Sequence, residues 1–233
     1  MKHFIKCSTK RFGLPVLPAV FIMIMALSYG CASQDIVSEK PFINFNADKV
    51  LVLKFKNMAQ ICGENETVQN PATGKYYITG VVSDSSELFL TEELVSRLKE
   101  HQGFSVITED QANVELRDIL DANKNSLKEK ELLVEVGRSV GADAVVAGYI
   151  YKFKEREGAR FSVSSPASIV FDISLLSTKD GSVVWSQSYN ETERSLSEDL
   201  SQFKKFIKRK GWSTAGEMAA SGLENMLKTF PSL

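Results

Sequence analysis

Apolar residues recur along this chain with two periods, and the exchange of one period for the other sets its organisation. Lys49-Val50-Leu51-Val52-Leu53-Lys54-Phe55-Lys56 opens as a continuous apolar run, which predicts a strand buried on both faces near the centre of a sheet. A long segment from Asn57 to Val82 follows, broken by Gly63, Pro71, Gly74 and Gly80. A loop of that length inside a domain is either functional or ordered by its own contacts. Asp84-Ser85-Ser86-Glu87 has capping-box spacing, and Leu90, Leu94, Val95 and Leu98 recur at helical spacing until Gly103. Phe104 to Ile107 reads as a short strand. Two further helices are predicted, one from Thr108 carrying Leu116, Ile119 and Leu120. The other starts at Ser126 and carries Leu132, Leu133, Val136 and Val140 before Gly141. Ala144 to Ile150 runs on as a buried strand.

Beyond Tyr151 the pattern becomes consecutive strands, at Phe161–Val163, Ala167–Leu176 and Val183–Tyr189. Lys179-Asp180-Gly181-Ser182 reads as a hairpin turn, since Asp-Gly supplies the positive φ that tight turns require. Alternation over Ile169 to Leu175 predicts that this strand has one covered face. Two helices close the chain, one over 195–210 with Leu196, Leu200, Phe203 and Ile207, the other after Ser213-Thr214 with Met218, Leu223, Met226 and Leu227. The order β-α-β-α-α-β-β-β-α-α predicts an α/β (α+β) fold. A parallel first half joins an antiparallel second half in a mixed sheet with helices packed on it. Residues 49–230 form one domain on this reading.

The segment ahead of that domain reads as a targeting signal. Lys2, Lys6, Lys10 and Arg11 precede an uncharged run from Leu14 to Leu27, and the chain turns polar after Cys31. The run holds about 14 residues, short of the roughly 20 that span a bilayer. Residues 1–30 are thus an export signal. Gly30-Cys31 resembles a bacterial lipoprotein junction, which implies a cysteine acylated with lipid, palmitate included, and a membrane anchor. Ser28-Tyr29-Gly30 also fits ordinary signal cleavage, so a soluble periplasmic or secreted product stays open. Residues 31–48 form a polar tether, and Cys31 is its candidate lipidation site.

Charge narrows the partners. Removing the four cations of residues 1–30 from the 28 Lys and Arg leaves 24 against 29 Asp and Glu, a net charge of −5. A mildly acidic chain lacks the basic face that nucleic acid demands. With Cys7 in the signal and Cys31 acylated, Cys62 has no intramolecular disulfide partner.

Catalytic constellations are sparse. His101 is the one histidine after the signal, at the end of a predicted helix beside Glu100 and Gln102. No His-x3-His or Cys-x2-Cys spacing marks a metal site, and no cofactor motif occurs. Pro71-Ala72-Thr73-Gly74-Lys75 ends like a phosphate loop, but the first glycine of that motif is missing and Tyr76 stands where Ser or Thr would be. Two features offer binding surfaces instead. Lys204, Lys205, Lys208 and Arg209 form a cationic run suited to lipid head groups or an acidic partner, or to a helix C-terminus. Tyr76, Tyr77 and Trp212 are candidate aromatic anchors for a protein partner.

Four stretches carry a wider resemblance: Val52-Leu53-Lys54-Phe55-Lys56-Asn57, Gly103-Phe104-Ser105-Val106-Ile107, the run from Val140 to Gly148 with its Gly-Ala-Asp turn, and Asp180-Gly181-Ser182-Val183-Val184-Trp185. Together they resemble bacterial envelope lipoproteins of the curli-secretion type and the lipoprotein activators of penicillin-binding proteins. The resemblance implies an anticodon-binding-like domain, lipid-anchored at the periplasmic face of the outer membrane. It implies assembly or regulation through a protein partner, not catalysis. The stretch between Tyr151 and Ala167 is too short and charged for the membrane hairpins of the curli pore. The first reading is therefore a non-enzymatic adaptor or assembly factor of an envelope or secretion machine. A regulator of a peptidoglycan synthase ranks second, because a tether over residues 32–48 reaches only about 60 Å. An envelope hydrolase using a carboxylate pair is third.

Overall fold

Fourteen elements are present in a computed structural model that describes residues 45–100, 103–112, 128–159, 162–193 and 214–231. In chain order they are β1 (Lys49–Val52), β2 (Lys56–Asn57), α1 (Met58–Cys62), β3 (Thr67–Gln69), β4 (Tyr76–Ile78), α2 (Ser86–Glu100) and β5 (Ser105–Thr108). Then come α3 (Glu129–Ser139), β6 (Ala144–Lys154), β7 (Glu157–Ala159), β8 (Ser162–Ser165), β9 (Ser168–Ser177), β10 (Val183–Thr192) and α4 (Ala215–Leu227).

The main sheet runs β10-β9-β6-β1-β5, with β2 also paired to β6. β1 lies parallel between β5 and β6, and β9 and β10 add antiparallel. The mixed α/β sheet with helices packed on it is thus the fold that the hydrophobic pattern predicts. One strand expected over 49–56 is split into β1 and β2. Leu53 still bonds the Val146 carbonyl at 3.1 Å, but the amides of Lys54 and Phe55 leave the ladder. They donate instead to Glu109 Oε2 at 2.7 Å and Thr91 Oγ1 at 3.0 Å. Side chains satisfy those two backbone groups, so the break carries no unpaired amide.

β6 is the spine of the molecule. One edge pairs with β9 along nearly its whole length. The other edge is served in turn by β1, β2 and the segment 80–83, where Gly80 donates to Tyr151 O and Ser83 to Phe153 O. Gly148 sits where the Phe55 ring crosses β6, and a Cβ there would meet ring carbons at 2.5–2.7 Å. Gly148→Ala is expected to destabilise the fold by about 1–3 kcal/mol through overpacking, read as a lowered urea midpoint at unchanged m-value.

Each face of the sheet is covered. Leu90, Leu94 and Leu98 of α2 and Met218, Leu223 and Met226 of α4 pack on Val50, Val146, Ile150, Phe171 and Ile173. On the opposite face, Met58 of α1, Val68 of β3 and Leu132, Leu133 and Val136 of α3 pack on Leu51, Val145, Tyr149, Tyr151 and Leu176. The two helix starts differ in their agreement with sequence. Thr214 and Glu217 make the full capping box at α4, each bond 3.1 Å. At α2 the expected box is absent. Ser85 adopts φ of 66°, and the Ser83 carbonyl receives the Ser86 amide at 3.3 Å. The Asp180-Gly181 turn is wider than the tightest hairpin, since Ser177 and Ser182 close it and Gly181 takes φ of 72°.

The alternation in β9 misleads about its environment. Every residue from Ser168 to Ser177 is buried, including Asp172 and Ser174, because the segment after β2 folds back over that face. β7 and β8 form a separate two-stranded hairpin, of which only the second strand was expected. The signal, tether and Cys31, the expected helices carrying Leu116 and Leu196, His101, the cationic run at Lys204, Lys205, Lys208 and Arg209, and Trp212 lie outside the described residues.

Candidate partner-binding face

The segment 57–82 is ordered by its own hydrogen bonds. Asn57 Oδ1 accepts the Gln60 amide at 3.0 Å and starts α1, and Gly63 ends it with φ of 103°. Thr79 Oγ1 then accepts the Glu66 amide at 2.9 Å and donates to the Gly63 carbonyl at 2.7 Å. β3 and β4 form a short antiparallel hairpin between them, Val68 opposite Tyr77.

Asn70 is the pivot of that hairpin. Its Oδ1 accepts the amides of Ala72 and Thr73, both at 2.7 Å, and so builds the turn. Its Nδ2 donates downward into the sheet, to Asp172 Oδ2 at 2.7 Å and to Tyr151 Oη at 3.0 Å. Tyr151 Oη donates in turn to Asp172 Oδ2 at 3.2 Å. The Tyr77 ring stacks on Tyr151 with centroids 4.0 Å apart and planes 15° from parallel.

Strand alternation sends neighbouring tyrosines to opposite faces. Tyr77 turns inward, half-buried, which corrects its grouping with Tyr76 as an exposed anchor. Tyr76 points out with 62 % exposure, and Ile78, two residues on, has 63 %. Val81 at 44 % and Leu88 at 55 % follow in sequence. These four are the exposed large apolar side chains among the described residues, and all come from residues 76–88. Single exposed apolar residues need no explanation, but a group from one hairpin and its exit marks a candidate contact face.

Among the described residues two carboxylates are buried, Asp172 beneath the hairpin and Glu129 at the start of α3. Asp172, in the middle of β9, is 1 % exposed, and burial raises its pKa to about 7. The bonds from Tyr151 and Asn70 and the charge of Lys75 pull the other way without cancelling that cost. The Tyr77 hydroxyl is near enough to favour the charged carboxylate, yet it makes no hydrogen bond of good geometry. Asp172 Oδ1 and Ser174 Oγ also have no hydrogen-bond partner. Burial, with the Asp172 charge next, moves the hydroxyls of Tyr77 and Tyr151 upward, so both stay protonated. Glu129, at the start of α3, receives Lys56 Nζ and, at 3.5 Å, Tyr149 Oη. Both carboxyls are sealed from solvent, so neither can meet a substrate. Among the described residues no group of three His, Cys, Asp or Glu could hold a metal ion.

Cys62 is disulfide-bonded, against the expectation of a chain with no intramolecular bond. Sequence reasoning found Tyr76 but missed Ile78, Val81, Leu88 and Asp172. The period-two spacing of Tyr76 and Ile78 was a usable signal. Nothing local announced that a carboxylate between Phe171 and Ile173 would be buried.

The fold is a mixed α/β domain whose exposed large apolar residues, among those described, come from β4, its exit and the start of α2. Residues 78–190 match the model of a family described as peptidoglycan-synthase activator LpoB, from β4 to within β10. The domain is of the kind found in bacterial envelope lipoproteins, with the penicillin-binding-protein-activator-like architecture that the sequence resembles. Among solved structures, the PelC dodecamer of Paraburkholderia phytofirmans is similar at 15 % identity, covering 80 % of this chain and 89 % of that one, with a TM-score of 0.45. The LpoB C-terminal domain of Escherichia coli is similar at 16 %, covering 64 % and 87 %, with a TM-score of 0.39. A lipoprotein of Neisseria meningitidis is similar at 14 %, covering 70 % and 95 %, with a TM-score of 0.38. The comparison with curated proteins found no match.

Proposed function

We propose that this protein is a lipid-anchored, non-enzymatic regulator of a peptidoglycan synthase, acting from the periplasmic face of the outer membrane. The observation that carries the reading is the match of residues 78–190 to the synthase-activator family. It reverses the order drawn from sequence, where an adaptor of a secretion machine came first. The sealed carboxylates supply the physical complement, since a binding protein needs a surface and not an open acid–base pair. Residues 49–230 are the working domain on this reading, and the hairpin face with Tyr76 is where the synthase docks. Cys31 carries the lipid on this reading, in which form its sulfur is not available for a disulfide with Cys62, and residues 32–48 place the domain within about 60 Å of the membrane. The synthase must therefore extend toward the outer membrane to be reached. The cations at Lys204, Lys205, Lys208 and Arg209, and Trp212, are further contact candidates for lipid head groups or the partner.

The test is glycan polymerisation by the peptidoglycan synthases of the same cell, with and without the full chain. A several-fold rise in rate with one of them is expected. No change with any of them, together with recovery of a secretion component in crosslinked envelopes, would return the adaptor reading to first place. The mass of the same purified protein reads the anchor, and an unmodified Cys31 start would remove it.

A further inference from the structure

We propose that Asp172 is a pH-responsive clamp on the β3–β4 hairpin, seating it firmly when protonated and loosening it when charged. The inference rests on the reading of that hairpin as the partner-binding face and concerns how the same face is regulated. Three observations support it. First, β3 and β4 are three residues each and pair only with one another, so the hairpin depends on what lies beneath it. Second, its side-chain hydrogen bonds to the sheet run through Asn70 Nδ2, which meets Asp172 Oδ2 at 2.7 Å and Tyr151 Oη at 3.0 Å. Third, the carboxyl is unevenly satisfied, because Oδ2 receives two donors while Oδ1 has none. A buried carboxylate with an empty oxygen is poorly solvated. Protonation removes that charge and lets Oδ1 donate to a neighbouring hydroxyl, with Tyr77 and Ser174 both lacking a partner.

Burial favours the neutral carboxyl, and the Tyr77 hydroxyl, the bonds from Tyr151 and Asn70 and the charge of Lys75 oppose it without cancelling it. From β6, Tyr149 and Tyr151 face the carboxyl, and from β4, Tyr77 does so. Lys75 in the hairpin turn favours the charge from a distance. β10 offers only the Ser188 hydroxyl, which interacts with Tyr77. α1 contributes no acid or base, and Glu129 of α3 is held by Lys56 and Tyr149. Burial dominates and brings the titration to about 7.

Amide hydrogen exchange of the full chain, free of partner and corrected for intrinsic rates, tests the clamp. Between about pH 5.5 and pH 8.5, peptides over 66–79 are expected to lose about tenfold protection while β6 and β9 hold theirs. Asp172→Asn should keep the hairpin protected throughout. Protection that does not change with pH, or that falls equally in Asp172→Asn, overturns the proposal. Should that variant fail to fold, the carboxyl carbon resonance of Asp172 in the unaltered protein decides. A midpoint near 7 supports the clamp, and one near the ordinary aspartate value of 3.8 defeats it. Partner binding is not part of this measurement, so the clamp and the proposed function fail separately.

Discussion

Replacing Asp172 with asparagine is expected to stabilise the protein above neutral pH, by on the order of 4 kcal/mol at full effect. The sign follows from the direction of the shift. Burial raises the carboxyl from 3.8 in the unfolded chain to about 7 in the fold. Its favourable contribution is complete below the lower value and is lost as pH rises through the upper one. An amide carries no charge at any pH. It keeps the acceptor oxygen for Asn70 and Tyr151 and places an NH2 where Oδ1 was, within a group of hydroxyls that lack partners. Chemical denaturation across that pH range should therefore show a falling curve for the unaltered protein and a flatter one for Asp172→Asn. Parallel curves would mean that the carboxyl is not the titrating group. Asp172→Ala is expected to differ from both. It leaves Asn70 Nδ2 with one acceptor fewer and opens a void, so it should destabilise at every pH.

The second large effect concerns the hairpin surface. Tyr76→Ala with Ile78→Ala is expected to weaken binding to the proposed synthase partner about a thousandfold, since buried interface anchors are each worth about 2 kcal/mol. Both side chains are well over half exposed in the free protein, so its melting temperature should barely move. Tyr77→Ala is the matching contrast. It removes a ring stacked on Tyr151 and is expected to cost about 2–4 kcal/mol of stability. A binding isotherm for the double variant equal to that of the unaltered protein would place the docking surface elsewhere. The distinction between adjacent tyrosines is what gives the experiment its power. One exchange changes recognition on an intact scaffold, and the other changes the scaffold.

Much of the scaffold is legible in local pattern because local pattern is a record of burial. The runs at Val50–Leu53 and Ala144–Ile150 are apolar on both sides since helices cover both faces of the sheet. Glycines at 103, 141 and 181 adopt positive φ and mark ends of elements, as their positions in sequence predict. The family resemblance was legible for the same reason, as those motifs are scaffold.

The candidate site was far less legible. Tyr76 and Tyr77 are identical in composition and adjacent in sequence, and only pairing of β4 with β3 assigns one to solvent and one to the core. Asp172 looked like the polar half of an alternating strand. Its burial depends on Asn70, more than a hundred residues earlier in the chain, folding across it. The sequence by itself determined the mixed α/β class and the approximate positions of β1, β5, β6, β9, β10, α2, α3 and α4, because hydrophobic periodicity and glycine conformations act over a few residues. Only the tertiary structure decided which carboxylate is sealed and which aromatic is offered. Burial of a polar group is a property of what packs above it, and that partner is chosen by the whole fold.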